Sequence, residues 1–348
     1  MKILRVRNVH EALPDGIELL LRDGITRHSR AGVTLEYPEP VTTVYECPYE
    51  RVLFWQQRDA NPYFHFFESL WMLAGRNDVE WISKFNKKFP EFSDDGIIFH
   101  GAYGFRWRQT FEMDQIWHVI RLLSDNPATR RAVIQMWDAN QDLQTTESGY
   151  KDLPCNTQIY FILRADELDM TVTNRSNDII WGAYGSNAVH FSMLHEYIAC
   201  MLQVRPGKYY QISNNFHAYK DVLEKNASLS DNARDPYRTI INNPYITGDV
   251  RAFPILNTRH WESDLIKFMD NPDDCDSETD AFFLTVALPL YHSYLCYKEK
   301  RNKSRFENAY THLSICCASD WKLAATEWLQ RREIEANRAM DDGVNYYE

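Results

Sequence analysis

The segment from residue 61 to residue 75 is the feature that most restricts how this chain can fold. It runs NPYFHFFESLWMLAG, and five of the nine residues from Tyr63 to Trp71 are aromatic. A stretch that is apolar on nearly every side predicts a helix buried within a large core, ending at the glycine. Hydrophobic residues make up 44% of the 348 residues, which is enough for such a core and argues against wholesale disorder.

Charge and cysteine usage exclude several classes of protein. The formal net charge is −11, so no basic surface for direct nucleic-acid binding is expected, and any phosphate must be held by a few placed arginines. No apolar run approaches the roughly 18 residues of a membrane span, and the N-terminus does not resemble a signal peptide. Seven scattered cysteines without a Cys-x-x-Cys pair predict neither a zinc site nor a disulfide framework, and favour the cytoplasm.

Apolar periodicity and turn residues divide much of the chain into elements. The predicted elements are a loop rich in aromatic residues over 100–107, a helix over 114–124, a strand over 130–137, a hairpin of strands 158–164 and 168–173, and a helix over 190–202. Residues 270–280 are acidic and poor in apolar side chains, which indicates a surface loop or linker. The pattern beyond them is mainly helical and includes residues 321–336.

Cys155 stands between a proline and the start of a predicted strand, in the sequence Leu153-Pro154-Cys155-Asn156. This setting gives a fixed backbone and partial access, which suits a nucleophile if cations or hydrogen-bond donors stabilise the thiolate. A cysteine is more often a small buried hydrophobic residue. Glu68 lies inside the apolar segment 61–75, where a carboxylate is costly unless it is paired or functional.

Arg175 and Ser176 follow the second strand of the predicted hairpin, in the sequence Arg175-Ser176-Asn177-Asp178. An arginine there suits bidentate phosphate contact, and a serine adds a hydroxyl donor. A turn with a salt bridge is the commoner meaning of such a segment. Further on, His217 and Tyr219 share one face of a strand and could hold a sugar hydroxyl, although such pairs are more often structural.

The segment GAYGSN, from Gly182 to Asn187, leads into the predicted helix over 190–202. Its glycines permit close approach of the backbone to a ligand, and an amide side chain offers both a donor and an acceptor. The alternative is that Ser186 or Asn187 caps the helix. The local sequence leaves both interpretations open.

The order and spacing of these motifs resemble the thymidylate synthase and deoxycytidylate hydroxymethylase family over residues 29–219, more than half of the chain. The most specific positions are Pro154-Cys155, Arg175-Ser176-x-Asp178, Gly182, Asn187 and His217-x-Tyr219. The resemblance implies an α/β (α+β) fold with a large mixed sheet, surrounding helices and a sheet face that forms a homodimer. We therefore predict a catalytic domain over residues 1–269, an acidic loop or linker over 270–282, and a helical C-terminal extension over 283–348.

The resemblance also implies catalytic roles. Cys155 matches the nucleophile that adds to C6 of a pyrimidine nucleoside monophosphate, after which C5 attacks the methylene of 5,10-methylenetetrahydrofolate. Glu68 matches a glutamate that acts with water in proton transfers and iminium formation. Tyr103 matches the tyrosine of a Tyr-Gly pair that helps to remove the C5 proton. No metal is implied.

The remaining matched positions would bind substrate and folate. They are Arg175, Ser176 and Arg30 (with Arg27 as a weaker candidate) for the phosphate, Arg130 and Arg131 for the phosphate of the partner subunit, Ser186 or Asn187 for the base, His217 and Tyr219 for the ribose, and Asp178, Gly182 and Phe89 for folate. Four arginines, two from each subunit, would neutralise the phosphate and depress the pKa of Cys155.

Several departures from the family pattern favour a hydroxymethylase over the alternative, a thymidylate synthase. They are Asn156 for a histidine, Asn177 for a cysteine, Phe89 and Phe92 for tryptophans, and the ending NYYE, residues 345–348, for an apolar tail. The tryptophans and the tail help to hold folate for the hydride transfer that makes a methyl group. Where that transfer fails, water captures the methylene and the product carries a 5-hydroxymethyl group.

The base is predicted to be uracil. An asparagine amide can pair with both N3–H and O4 of uracil, whereas the deoxycytidylate enzymes use an aspartate, and no acidic residue lies between Gly182 and Asn187. One alternative function is that of a deoxycytidylate hydroxymethylase. A second alternative is an inactive homologue that binds nucleotides. A third is an unrelated cysteine hydrolase that pairs Cys155 with His190, His195 or His217. Hydroxymethylated nucleotides suit a phage protein in its host cytoplasm.

Overall fold

The computed structural model describes residues 1–29, 32–143, 151–231, 243–255 and 260–341. Its ten strands within these residues are β1 (Lys2–Val6), β2 (Ile25–Ser29), β3 (Gly32–Glu36), β4 (Val41–Tyr45), β5 (Val133–Gln135), β6 (Asn156–Arg164), β7 (Glu167–Asn174), β8 (Asn177–Asp178), β9 (Arg205–Ser213) and β10 (Phe216–Tyr219). Arg30, predicted to bind the phosphate, and residues 345–348, the ending compared with the apolar tail of the family, lie outside the described residues.

Thirteen α-helices occur in the described part of the chain. They are α1 (Val9–Asp23), α2 (Pro62–Leu73), α3 (Val79–Ser83), α4 (Tyr103–Arg108), α5 (Gln115–Asp125), α6 (Ala139–Asp142), α7 (Asn187–Met201), α8 (Lys220–Asn226), α9 (Pro244–Thr247), α10 (Trp261–Asp270), α11 (Leu288–Lys298), α12 (Arg305–Ser314) and α13 (Ser319–Asp341). No helix among the described residues is long and apolar enough to cross a membrane.

Six strands form one large mixed sheet in the order β1-β4-β9-β7-β6-β5. β1 pairs with β4, and β7 with β9, in parallel, while the other pairs are antiparallel. Alternation along β6 and β7 buries one face of this sheet and leaves Tyr160 and Ile162 partly exposed on the other. The predicted α/β fold with a large mixed sheet and surrounding helices is confirmed, as is the hairpin of β6 and β7.

The apolar segment 61–75 forms α2, whose twelve residues are all buried. Asn61 begins the helix by accepting a hydrogen bond from the backbone of Phe64, and Pro62 occupies the first turn, where a missing N–H costs nothing. α2 packs against α7, which is buried over nearly its whole length. The predicted buried helix is confirmed, and it lies at the centre of the core.

A second sheet of four strands, in the order β2-β3-β10-β8, is built beside the first. β8 contains only two residues, and it pairs in parallel with β10, so that Asp178 lies opposite His217. This short pairing brings together two segments that are about forty positions apart in the sequence. It joins the Arg175–Asp178 turn to the strand that carries Tyr219.

Two local predictions were wrong. Residues 100–107, predicted as a loop, contain the start of α4, because Gly104 lets this helix approach α2 so closely that a β-carbon would lie 1.9 Å from the carbonyl oxygen of Met72. The strand predicted over 130–137 is only the three residues of β5. Arg130 and Arg131 precede that strand and are exposed.

The C-terminal residues form the predicted helices, and α13 covers the predicted segment 321–336. These helices pack directly on α2: the hydroxyl groups of Tyr63 and Ser293 lie 2.8 Å apart, and the ring of Trp328 meets the Tyr63 ring edge-on. The described C-terminal residues therefore share the core of the rest of the chain. The division at residues 270–282 stays a prediction.

Candidate active site

Cys155 lies at the entrance to β6, where the side chain of Arg175 holds the preceding turn. The backbone N–H of Arg175 donates to the carbonyl oxygen of Cys155 at 2.9 Å, and its Nε donates to that of Pro154, also at 2.9 Å. Nη2 reaches the carbonyl of Leu153 at 3.3 Å. The guanidinium lies 5.4 Å from the ring centre of Trp137. The cation is thus held rigidly beside the cysteine.

Burial raises the pKa of the Cys155 thiol, and the Arg175 guanidinium opposes this by lowering it. The carboxylates of Asp152 and Asp178 also raise the pKa of this thiol. Arg175 thus lowers the pKa of Cys155 in the predicted direction, but burial outweighs this one arginine. The effect predicted for four arginines, two from each subunit, stays a prediction. Desolvation of a thiolate outweighs one arginine when two carboxylates stand nearby.

Tyr103 begins α4 and contacts the same cysteine. The backbone groups of Cys155 and Asn156 hydrogen-bond to its phenol, and burial raises the pKa of the phenol well above its usual range. The Tyr103 ring stacks on Phe191 with the ring centres 5.8 Å apart. The phenol therefore stays neutral and keeps a proton that it can donate next to the thiol.

Glu68 and His190 meet in the core between α2 and α7. Oε2 of Glu68 lies 2.8 Å from Nε2 of His190, and their side chains are 5% and 1% exposed. The prediction that Glu68 is buried is confirmed. Sequence reasoning considered His190 only as a possible partner of Cys155, because nothing local indicates which distant residue contacts a buried carboxylate.

The structure distinguishes Asn187 from Ser186. Residues 179–186 form a π-helical turn, in which the N–H of Asn187 reaches back five residues to the carbonyl of Gly182, and Ser186 makes no side-chain cap. The Asn187 amide donates to Oδ1 of Asn177 at 3.1 Å, and the Asn177 amide donates to Oγ of Ser213 at 3.0 Å. The π-helical turn thus directs the Asn187 amide towards a buried polar network that contains Asn177 and Ser213.

Gly182 leaves room for this network. A β-carbon at position 182 would lie 3.0 Å from Oδ1 of Asn177 and 3.3 Å from Nδ2 of Asn187. Any other residue would press on both amides. The glycine is therefore explained by the network itself, and its predicted folate contact stays a prediction.

Asp178 begins the π-helical turn and keeps one oxygen unpaired. Its Oδ1 accepts the backbone N–H groups of Ile180 and Trp181, at 2.9 and 2.6 Å, while its buried Oδ2 has no hydrogen-bond partner among the described residues. Burial raises the pKa of Asp178, and His217 lowers it. The His217 and Tyr219 rings are 6.0 Å apart and nearly perpendicular, on one face of β10 as predicted.

Four predicted positions remain, namely Phe89, Arg130, Arg131 and Ser176. Phe89 packs on the rings of Phe64 and Phe99, with centres 5.1 and 4.7 Å apart. Arg130 and Arg131 are exposed just before β5. Ser176 is half-buried between Arg175 and Asn177.

Arg58 was missed by sequence reasoning. It is buried, its Nε donates to the carbonyl of Ile180 at 3.0 Å, and its guanidinium lies 4.5 Å from the ring centre of the exposed Trp181. Burial lowers the pKa of Arg58 to about 10, and Asp178 opposes this. The polar surroundings of Arg58 in the sequence indicate only a surface residue.

Comparison with known proteins places this cluster in a family. The family model described as thymidylate synthase matches residues 15–254. The chain is 50% identical to a deoxyuridylate hydroxymethyltransferase of Pseudomonas phage M6 over 99% of this chain and 100% of that protein. It is 36% identical to the protein of the same name from Bacillus phage SP01, over 60% of this chain and 56% of the relative. A thymidylate synthase of Streptococcus pyogenes is 29% identical, over 60% of this chain and 72% of the relative.

Proposed function

Since the chain belongs to the thymidylate synthase family, we propose that it converts deoxyuridylate to 5-hydroxymethyl-deoxyuridylate. The observation that carries this proposal is the half-buried Cys155 held beside the Arg175 guanidinium. The relative from Pseudomonas phage M6, which aligns over its whole length and is named for this reaction, supports the same substrate and product. The chain is thus a one-carbon transferase.

Cys155 begins the reaction by forming a bond from its sulfur to C6 of uracil. The C5–C6 electron pair moves towards O4, so that C5 becomes a carbon nucleophile. Arg175 and Ser176 hold the phosphate, and His217 and Tyr219 hold the ribose. Tyr103 lies against the backbone of Cys155, where its phenol can exchange the C5 proton through water. 5,10-Methylenetetrahydrofolate supplies the one-carbon unit.

The described residues fit a folate at this site. Oδ2 of Asp178 is buried without a partner among the described residues, and an acceptor of this kind suits an N–H group of the pterin. Trp181 is 54% exposed next to it and offers a flat surface for an aromatic ring. Phe89, which packs on the ring of Phe64, is proposed as a further aromatic contact to the folate.

Water rather than hydride completes the reaction in this proposal. Phe89 and Phe92 occupy the positions where the family has tryptophans that support hydride transfer, and the relatives from Pseudomonas phage M6 and Bacillus phage SP01 carry the hydroxymethyltransferase name. Mass spectrometry of the product made from deoxyuridylate and 5,10-methylenetetrahydrofolate tests the proposal. We expect 5-hydroxymethyl-deoxyuridylate with release of tetrahydrofolate. A 5-methyl product with dihydrofolate would identify a thymidylate synthase instead.

The Asn187 amide is proposed to select uracil. Because its Nδ2 already donates to Asn177, the second N–H and Oδ1 remain for O4 and N3–H of the base. We expect Asn187→Asp to lower kcat/KM for deoxyuridylate by about 10²-fold or more, since the new carboxylate cannot donate to O4. Turnover of deoxycytidylate should rise. Ser186→Asp is the matched control, because Ser186 lies outside this network, and a base switch there rather than at 187 would contradict the assignment.

A homodimer completes the phosphate site in this proposal. Arg130 and Arg131 are exposed beside the edge strand β5, and the sheet face with Tyr160 and Ile162 is uncovered in a single chain. Arg130 and Arg131 of one subunit would add positive charge beside the nucleophilic cysteine in the active site of the other subunit. A solution mass of two chains by light scattering is expected, and a mass of one chain in the active enzyme would contradict it.

Because the proposed substrates are a free nucleotide and folate, the proposed place of the enzyme is the cytoplasm of a phage-infected host.

A further inference from the structure

The contact between Glu68 and His190 contains three buried polar atoms that protein groups do not satisfy. Oε2 of Glu68 and both ring nitrogens of His190 have no hydrogen-bond partner among the described residues, although Oε2 and Nε2 are 2.8 Å apart. The two groups are close without the alignment of a hydrogen bond. Buried polar atoms are nearly always paired with protein or with water, so this site is built to hold another molecule.

The position of His190 places it within the proposed active site. It lies three residues after Asn187 on α7, and residues at this spacing share one face of a helix. The next residue, Phe191, stacks on Tyr103, whose phenol contacts the backbone of Cys155. The unpaired nitrogens of His190 therefore lie on the side of α7 that presents Asn187 to the pyrimidine.

We propose that His190 is the proton partner of Glu68 for the water that completes hydroxymethylation, an inference that rests on the proposed function. The water oxygen forms a bond to the exocyclic methylene carbon attached to C5. The methylene π pair moves into the ring as an enolate, and the proton lost by water passes to the pair of Glu68 and His190. The enolate pair then restores the C5–C6 double bond and expels the sulfur of Cys155, which takes back a proton.

This assignment explains why a histidine is placed there. Histidine is the side chain best suited to exchange protons near neutral pH, and a positioned acid–base group contributes about 10²- to 10⁴-fold to a rate. If Glu68 were the only group that accepts the proton, it would have to release that proton again within a closed apolar core. Contact with His190 provides a second acceptor 2.8 Å away.

The test is His190→Gln in the full-length enzyme, with deuterium at C5 of deoxyuridylate. Glutamine can still donate to Glu68 but cannot take up a proton. We expect deuterium loss in a single turnover, which precedes water addition, to keep its unsubstituted rate. Formation of 5-hydroxymethyl-deoxyuridylate should fall by about 10²-fold or more. Unchanged product formation, or an equal fall in both rates, would overturn the inference.

Two further variants keep the test decisive. His195→Gln is the matched control, because His195 is buried on the same helix but contacts the carbonyl of Leu168, and it should leave the ratio of the two rates unchanged. Glu68→Asp, which withdraws the carboxylate from His190 by one methylene, is used if His190→Gln loses its cooperative melting transition. Full product formation by Glu68→Asp would refute the role. A 5-methyl product from the unsubstituted enzyme would instead refute the proposed function.

Discussion

Replacing the sulfur of Cys155 with oxygen, as Cys155→Ser, is expected to lower the rate of product formation by at least about 10⁴-fold. A serine hydroxyl is not ionised at neutral pH and adds poorly to C6 of uracil. Nucleotide binding should survive, because Arg175 hydrogen-bonds to backbone oxygens of Leu153, Pro154 and Cys155, which the substitution retains. Product is measured by mass spectrometry and deoxyuridylate binding by calorimetry.

Cys317→Ser is the matched control for this experiment. Cys317 is an exposed free cysteine in the connection between α12 and α13, so its substitution should change neither the rate nor the binding. A Cys155→Ser enzyme that keeps the unsubstituted rate would eliminate Cys155 as the nucleophile. The same result would remove the basis of the proposed function.

Arg175→Ala is expected to raise KM for deoxyuridylate by about 10²-fold or more, because a charged contact to the phosphate is lost. It also removes the cation that lowers the pKa of Cys155, while burial, Asp152 and Asp178 still raise that pKa. The pKa of the thiol therefore rises further, and less thiolate is present at neutral pH. The increase of kcat with pH should consequently move to higher pH, which a pH–rate profile measures.

Arg164→Ala is the control for charge alone. Arg164 is exposed at the end of β6, where it pairs with Asp169, and its loss should leave KM and the pH profile unchanged. A profile for Arg175→Ala that moves to lower pH would show that Arg175 does not stabilise the thiolate. An unchanged KM would remove Arg175 from the phosphate site.

The elements with strong local patterns were predictable from the sequence. The apolar run became α2, the alternating strands became the β6–β7 hairpin, and the periodic segment before residue 202 became α7. In each case the side-chain period matches the backbone geometry that buries the apolar face. The predicted site positions on these elements, such as Cys155 and Glu68, were found for the same reason.

Short elements and their ends were less predictable. α4 depends on Gly104 packing against a carbonyl of α2, a contact between segments about thirty residues apart. The π-helical turn before Asn187 has no local signal that distinguishes it from an ordinary helix start. Tertiary packing decided both, because local preferences of a few residues are weaker than the burial that neighbouring elements supply.

The sequence by itself determined the family, the core helix and hairpin, and the identity of the candidate nucleophile, since these depend on local order and spacing. Only the tertiary structure decided that Asn187 rather than Ser186 joins the buried amide network and that Glu68 contacts His190. It also decided that burial raises the pKa of Cys155 in a single chain. These features depend on distances and desolvation between segments far apart in the chain, which residue order does not contain.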